Sequence, residues 1–303
     1  DAFVTKIGDV QQAVCVEPPG GMISWWDADA VSGSTATDIM SNNDGTLTNG
    51  ATTAPGKVDN AFSLAGTNFV SVSHASNLEP DHITVDAWVK SDIGPDGNVH
   101  YVVAKSGSNG RYGYELLIEQ SGAARFLAAT AFNTFADTIG TTVIADGDWH
   151  HIAGVWDGSG RATLYVDGVS ERRGDSSDST ASPIAYETPG QSLYIGKRQI
   201  GSPFIGGIDE VEIFNRALTS DEILAIYNAD SAGKCKDDLP TNEPPVAQCK
   251  DVTVDANGTC VADADIHAGS SDPDAGDAIT ITQDPAGPYD LGDTIVTLTV
   301  TDA

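Results

Sequence analysis

The run Ile208-Asp209-Glu210-Val211-Glu212-Ile213-Phe214 sets three carboxylates into an otherwise apolar stretch. Acids so placed could cleave glycosides, a reaction that in its retaining form needs two carboxyl groups about 5 Å apart, one with a raised pKa. Glu210 and Glu212 share one strand face, and Glu115 and Glu119 share another. They could equally hold a metal. In the alternating pattern Asp209 shares the face of Val211 and Ile213, so it is expected to point into the core, where a carboxylate is costly unless paired or metal-bound. Asp27, Asp38 and the Asn43-Asp44-Gly45 turn offer further oxygens. Side-chain oxygens with nearby backbone carbonyls suit calcium, which takes six to eight of them. The alternative is that Asp27 and Asp44 cap turns and Asp209 accepts backbone amides.

Other residues invite the same weighing. Asp272, Asp274 and Asp277 crowd one loop and repel one another unless a cation sits among them; otherwise the loop is a solvated turn. His150 and His151 are adjacent on a strand, so they face opposite ways and cannot chelate one ion. Trp25, Trp26, Trp88 and Trp156 could stack on sugar rings, although burial is the commoner use of such side chains. Trp88 shares a face with Thr84, Asp86 and Lys90, a mixed set that suits a ligand-facing sheet. Trp88, Asp86 and Lys90 are therefore the candidate ligand contacts. No Ser-His-Asp grouping is evident.

The elements that must position these residues are strands. "HITVDAWVKS" places Ile83, Val85, Ala87 and Val89 on one face. "NFVSVSHA", "YVVAKS", "YGYELLIEQ", "ARFLAATAF", "WHHIAGVWDG", "RATLYVDGV", "SLYIGKR" and "IDEVEIF" continue in the same manner. Asp167-Gly168 reads as a tight hairpin turn. Thr219 and Glu222 form a capping box ahead of an apolar stripe of Ile223, Leu224, Ile226 and Tyr227, the one helix expected. Many short strands between turn residues imply an all-β antiparallel sandwich or barrel. "CVEPPGG" marks a boundary near the start, and "CKDDLPTNEPPVAQCK" reads as a linker. The expected divisions are 1–14, a strand and linker; 15–236, the main domain; 237–245, a linker; and 246–303, a small second β domain.

The bulk properties narrow the function. A formal net charge of −29 over 303 residues argues against nucleic acid and anionic membranes, which need a basic face. No run of eighteen apolar residues occurs, so no membrane-inserted helix is expected. Cys15, Cys235, Cys249 and Cys260 lack zinc-type spacing, and an even count in an acidic, strand-rich chain suggests disulfides and an oxidising compartment. Cys15 and Cys235 bracket the main domain and are expected to pair. Cys249 and Cys260 flank a hairpin-sized interval and are expected to form the second bridge.

Residues 20 to 230 resemble the laminin-G-like jelly roll, the concanavalin A-like lectin/glucanase fold. The resemblance rests on "GMISWWDADAVSGSTATDIMSNNDGTLTNG", "ITVDAWVK", "GDWHHIAGVWDGSGRATLYVDG" and "GGIDEVEIFNRALTSDEI". It implies an antiparallel jelly-roll β-sandwich with a calcium site joining the N-terminal loops to the final strand. That site falls on Asp27, Asn43, Asp44 and Asp209, with Asp38 in reserve. Glucanases of this fold carry a three-acid E-x-D-x-E pattern; here Ile208 and Phe214 flank Glu210 and Glu212, so outward, solvated acids are expected instead. The C-terminal stretch "PPVAQCKDVTVDANGTC…GDTIVTLTVTDA" is similar to an HYR-type, immunoglobulin-like module, though short of a full sandwich. Its Asp272–Asp277 loop resembles interdomain calcium loops of surface repeat proteins. "DAFVTKI" is similar to the repeat strand of a bacterial β-propeller family, and all three modules recur in large secreted or surface proteins of bacteria.

The resulting expectation is a calcium-stabilised, non-catalytic adhesion or scaffold fragment of an extracellular protein, binding a glycan or a surface protein. Catalytic glycoside hydrolysis is the disfavoured alternative. The chain opens with a lone strand and closes in a strand-like pattern, which suggests a piece of something longer. Donation of the first strand to a neighbour's C-terminal module would give head-to-tail self-assembly.

Overall fold

The computed structural model describes residues 15–40, 43–107, 112–187, 190–199, 203–236, 245–256, 258, 260–271 and 279–302. The opening strand "DAFVTKI" and the Asp272, Asp274 and Asp277 loop lie outside the described residues. The chain divides into two compact units, Asp1–Asp238 and Leu239–Ala303.

The first unit contains β1 (Met22–Trp26), β2 (Val31–Ser32), β3 (Thr35–Ala36), β4 (Gly45–Thr48), β5 (Thr52–Pro55), β6 (Asn60–Ala65), β7 (Phe69–Val72) and β8 (Ile83–Lys90). It continues through β9 (His100–Lys105), β10 (Tyr114–Ile118), β11 (Ala123–Ala131), β12 (Thr134–Val143), β13 (Trp149–Trp156), β14 (Thr163–Val166), β15 (Val169–Glu171), β16 (Leu193–Ile195) and β17 (Ile205–Phe214), then helix α1 (Ser220–Ala229). An eight-stranded sheet runs β15-β14-β13-β8-β17-β6-β5, with β1 added to β17. A nine-stranded sheet runs β12-β11-β10-β9-β16-β7-β4-β3-β2. The registered pairs in both sheets are antiparallel, and sequence-distant strands lie side by side, as β16 does between β7 and β9. The result is the jelly-roll sandwich the alternating patterns imply.

The core lies between the inner faces. Ile83, Val85, Ala87 and Val89 all reach it, opposite Leu116, Phe126 and Tyr114 of the other sheet. Gly154 is required where Phe126 crosses β13, because a Cβ there would overlap the ring. Truncating a ring such as Phe126 to Ala removes about 3–5 kcal/mol. The hairpin from β14 to β15 turns on Asp167 and Gly168, both at positive φ (50° and 76°), as a primed two-residue turn requires. Thr219 caps α1 with the reciprocal Glu222 bond, completing the box read from the sequence. Ile223 and Ile226 pack with Phe214, Leu218, Ala153 and Val155 on the outer face of the eight-stranded sheet. Leu224, included in the expected stripe, is instead exposed.

The second unit holds β18 (Val261–Ala262) paired with β20 (Tyr289–Asp290), and β19 (Ile279–Asp284) paired with β21 (Thr297–Asp302). These are two separate two-stranded sheets. The Cys15–Cys235 disulfide is present, with Cα atoms 5.0 Å apart. The second expected bridge is not: Cys249 and Cys260 are free and exposed. Cys249 bridges through its backbone to His267, and Cys260 turns at positive φ (64°) ahead of β18. The interval between them therefore does not close as a hairpin with the two thiols facing each other.

Candidate functional site

β17 carries the acids, and its bulge decides where they go. Asp209 registers with Trp88, and Glu212 registers with Asp86, so the strand gains one residue between them. Glu210 takes the extra position at φ 50°. A bulge of this kind shifts the side-chain alternation by one. Val211 and Ile213 face the core, as does Ile208. Asp209 instead lies with Trp88 on the opposite, outer face, which corrects the expectation that it shares the face of Val211 and Ile213.

Beside Glu212 on that outer face stand Trp25 of β1 and Asp86 of β8. His151 of β13 registers with Trp88, and its Nε2 lies 3.0 Å from Asp86 Oδ2. A terminal strap closes over this surface. Val16 bridges Lys234 in parallel, and the Cys15–Cys235 bond ties the same two segments. The lysines on either side of Cys235 enter the acids. Lys234 Nζ lies 3.0 Å from Glu210 Oε2, pairs with Glu212, and sits 5.1 Å above the Trp25 ring. Lys236 Nζ donates to Asp27 Oδ2 at 2.6 Å and Asp29 Oδ2 at 2.8 Å.

Glu210 and Glu212 are 1% and 0% exposed, and apart from Lys234 their carboxylate oxygens have no hydrogen-bond partner. Burial raises both carboxyls above their ordinary value, against the pull of Lys234. Burial also pushes the Lys234 ammonium down, but Glu212, Glu210 and Asp86 outweigh it and hold its pKa raised. Outward, solvated acids were expected here; the strap leaves them buried and paired. Glu210 and Glu212 therefore lie sealed against Lys234 rather than open to solvent.

The expected metal ligands separate into two groups. Asp38 spends both oxygens on backbone amides: Oδ1 accepts from Trp25 and Met40, and Oδ2 from Asn43. Asp44 Oδ1 accepts the Asp38 amide. Asp38 thus caps a turn with both oxygens, and Asp44 with one. Asp27 Oδ1 also accepts turn amides, from Asp29 and Ala30, but its other oxygen already holds a cation, the Lys236 ammonium. Asp209 Oδ2 accepts the Lys57 and Val58 amides at 2.8 and 2.9 Å, while Oδ1 is buried without a partner. Burial raises the Asp209 pKa to about 8. Asn43 Oδ1 is likewise buried and unpartnered. Asn43 and Asp209 thus each keep a buried oxygen of the kind a hard cation takes, whereas Asp27 would have to give up the Lys236 ammonium to take one. Among the described residues no three His, Cys, Asp or Glu side chains gather closely enough to hold an ion by themselves.

The expected ligand contacts are not open to solvent. Trp88 and Asp86 are buried. Trp88 stacks on Tyr227 of α1, with Lys57 Nζ 4.5 Å above its ring; only Lys90 is exposed. The helix covers the mixed face that was read as ligand-facing.

The outer face of the nine-stranded sheet went unread in the sequence. Successive registers carry one row across it: Ser71, Tyr194, Ala104, Glu115, Leu127 and Asp137. Phe69 meets Tyr194 edge-on at 5.8 Å, and Lys197 Nζ lies 4.0 Å over Phe69. Phe69, Tyr194 and Lys197 are all partly exposed. Arg198 Nε lies 2.9 Å from Glu115 Oε1. Arg125 reaches Glu119 at 3.0 Å and also pairs with Asp137. The local signal was Tyr194 followed by Lys197-Arg198, but Phe69 joins them only through the fold.

No curated protein matches the chain. Among solved structures, Trypanosoma rangeli sialidase in complex with 2,3-difluorosialic acid aligns at 20% identity and TM-score 0.52, over 70% of this chain and 33% of its own. Domain 4 of AbnA, a GH43 extracellular arabinanase from Geobacillus stearothermophilus, in complex with arabinotriose, aligns at 20% identity and TM-score 0.51, over 67% and 96%. The binding domain of Paraclostridial Mosquitocidal Protein 1 aligns at 14% identity and TM-score 0.50, over 69% and 52%. The chain thus spans about a third of that sialidase's length, and at these identities the likeness is one of fold. A family model described as the concanavalin A-like lectin/glucanases superfamily matches residues 64–224, just over half of the chain. The chain belongs to the concanavalin A-like lectin/glucanases superfamily.

Proposed function

We propose that this chain is an extracellular, non-catalytic binding module that takes glycan on the outer face of the nine-stranded sheet. The observation that carries this reading is Lys234, which pairs with both Glu210 and Glu212 beneath the disulfide-tied strap. The acids most like a hydrolytic pair are thereby withdrawn from any substrate. The opposite sheet offers what sugar recognition uses: aromatic edges at Phe69 and Tyr194 beside the charged Lys197. Its likeness in fold to an arabinanase domain with bound arabinotriose supports the same class of ligand. The disulfide supports an oxidising, extracellular setting.

A calcium ion, if bound, would be held by Asp27, Asn43 and Asp209, and would supply charge neutralisation to a structural joint. The measurement is the melting temperature with and without EDTA. A fall on chelation that calcium restores supports the ion, and an unchanged value removes it.

Titration calorimetry with arabinotriose as probe, alongside a reducing-sugar assay, tests the binding function. Saturable binding without released reducing ends is expected. Tyr194→Ala should weaken it about tenfold, in line with the ~1.4 kcal/mol a tenfold change represents. Release of reducing ends that Glu212→Gln abolishes would overturn the non-catalytic reading.

A further inference from the structure

The second unit contains stretches with a strand-like sequence that join no ladder among the described residues. Residues 251–256 read Asp-Val-Thr-Val-Asp-Ala, an apolar/polar alternation, yet join no ladder. Residues 293–296, Asp-Thr-Ile-Val, lead into β21 and join none either. Both segments line a trough of about 550 Å³, whose lining also includes Ala262, Ala264 and Ile266. On its walls Val254, Leu291 and Ile295 are 45%, 70% and 93% exposed. Backbone outside any ladder beside exposed apolar side chains is a template for an added strand.

We propose that this trough accepts residues 1–7 of a second copy of the chain as an additional β-strand. Phe3, Val4, Thr5 and Ile7 are residue types that favour strands, and seven extended residues span roughly 23 Å, about the run of the wall 251–256. Phe3 and Ile7 would fall on one side of such a strand, at the spacing that sheet-edge recognition reads. Charge complements shape. Asp251, Asp255, Asp290 and Asp293 are exposed along the two walls and the strand adjoining them. Lys6 brings one of only 15 basic side chains in a chain of net charge −29. The Cys15–Cys235 bond fixes where the donor segment leaves the jelly roll, so it is offered from a defined root. Each copy then has one donor and one acceptor that are not self-complementary, and such contacts propagate head to tail.

Two variants separate the halves of this contact. Deleting residues 1–8 removes the donor and leaves the trough. Ile295→Asp spoils the acceptor and leaves the donor, and a side chain so exposed tolerates the change in folding; Leu291→Asp on the same rim serves as a second acceptor-dead form. Light scattering on the full chain should show mass rising with concentration, each variant alone should stay monomeric, and an equimolar mixture should stop at a one-to-one dimer. Cys249 lines the trough and is exposed, so in that dimer its fast alkylation should be lost on the copy lacking residues 1–8, whose trough is filled, and kept on the Ile295→Asp copy. A mixture that stays monomeric overturns the proposal. So does assembly that persists in both variants. A monomeric full chain with a protected Cys249, exposed again on deletion of residues 1–8, would mean that the strand folds back onto its own chain, and would overturn the second copy as its source.

Discussion

The outer faces of the two sheets of the first unit both carry ion pairs, and they use them in opposite ways. On the eight-stranded sheet, Lys234 is sealed between Glu210 and Glu212 by the strap, and Trp88 lies under Tyr227. On the nine-stranded sheet, Arg125 and Glu119 meet with partial exposure, while Asp137, the other partner of Arg125, is buried. Buried charges have left water, so each depends on its partner. Charges in contact with solvent are screened, and each can be lost at small cost. The closed face therefore holds the domain's ends together, while the open face is free to vary with a ligand.

The sharpest way to break this contrast is to delete one charge on each side. Lys234→Met keeps the length of the side chain but strands two buried carboxylates, and should cost about 3–5 kcal/mol. Glu119→Gln, which removes a partly exposed partner of Arg125, should cost about 1 kcal/mol or less. Urea unfolding of both variants is the measurement. Equal losses would mean that the strap does not exclude water from Glu210 and Glu212. Restoring stability to Lys234→Met by adding Glu210→Gln and Glu212→Gln would locate the cost in the uncompensated charge.

The disulfide sharpens the same point at a smaller scale. It closes a separation of 220 residues, and loss of such a bridge costs about 2–4 kcal/mol in typical cases. Cys235→Ser should fall in that range. It should also couple to Lys234→Met, because both release the same strap, and contacting sites show interaction energies of about 0.5–3 kcal/mol. Strict additivity in the double variant would separate the bridge from the charge cluster.

Much of the closed face was readable in one dimension, and its decisive feature was not. The alternation of Ile83, Val85, Ala87 and Val89 is local, and so are the Thr219–Glu222 box and the Asp167-Gly168 turn; each follows from spacing alone. Cys15 and Cys235 could be paired because they bracket the domain. The bulge at Glu210 could not be read, since period-two counting has no mark for an extra residue. Lys234 could not be matched to its acids either, because only the strap brings it back to β17. Trp88 looked ligand-facing because its strand face is polar, and the helix that covers it comes 130-odd residues later, at Tyr227. On the open face, Phe69 and Tyr194 belong to strands far apart in the chain that become neighbours only in the sheet.

The smallest expected effect tests whether partial exposure, rather than the number of bonds, sets the scale. His150, in the eight-stranded sheet but at its margin, lies between Asp167 (Nδ1 to Oδ2, 2.8 Å) and Asp146 (Nε2 to Oδ1, 3.2 Å). The bond to Asp167 raises the imidazole above its ordinary value, against burial and with help from Asp146. A histidine raised in the folded state contributes its full stability below the unfolded value near 6.5 and loses it as pH rises through the folded pKa. His150→Gln should therefore cost more at pH 5 than at pH 8.5. Asp146 is half in solvent, so that difference should stay within about 1 kcal/mol despite two short contacts. A pH-dependent loss as large as that of Lys234→Met would show that the margin of the sheet is as dry as the ground beneath the strap, and the contrast between sealed and open charge would have to be drawn elsewhere.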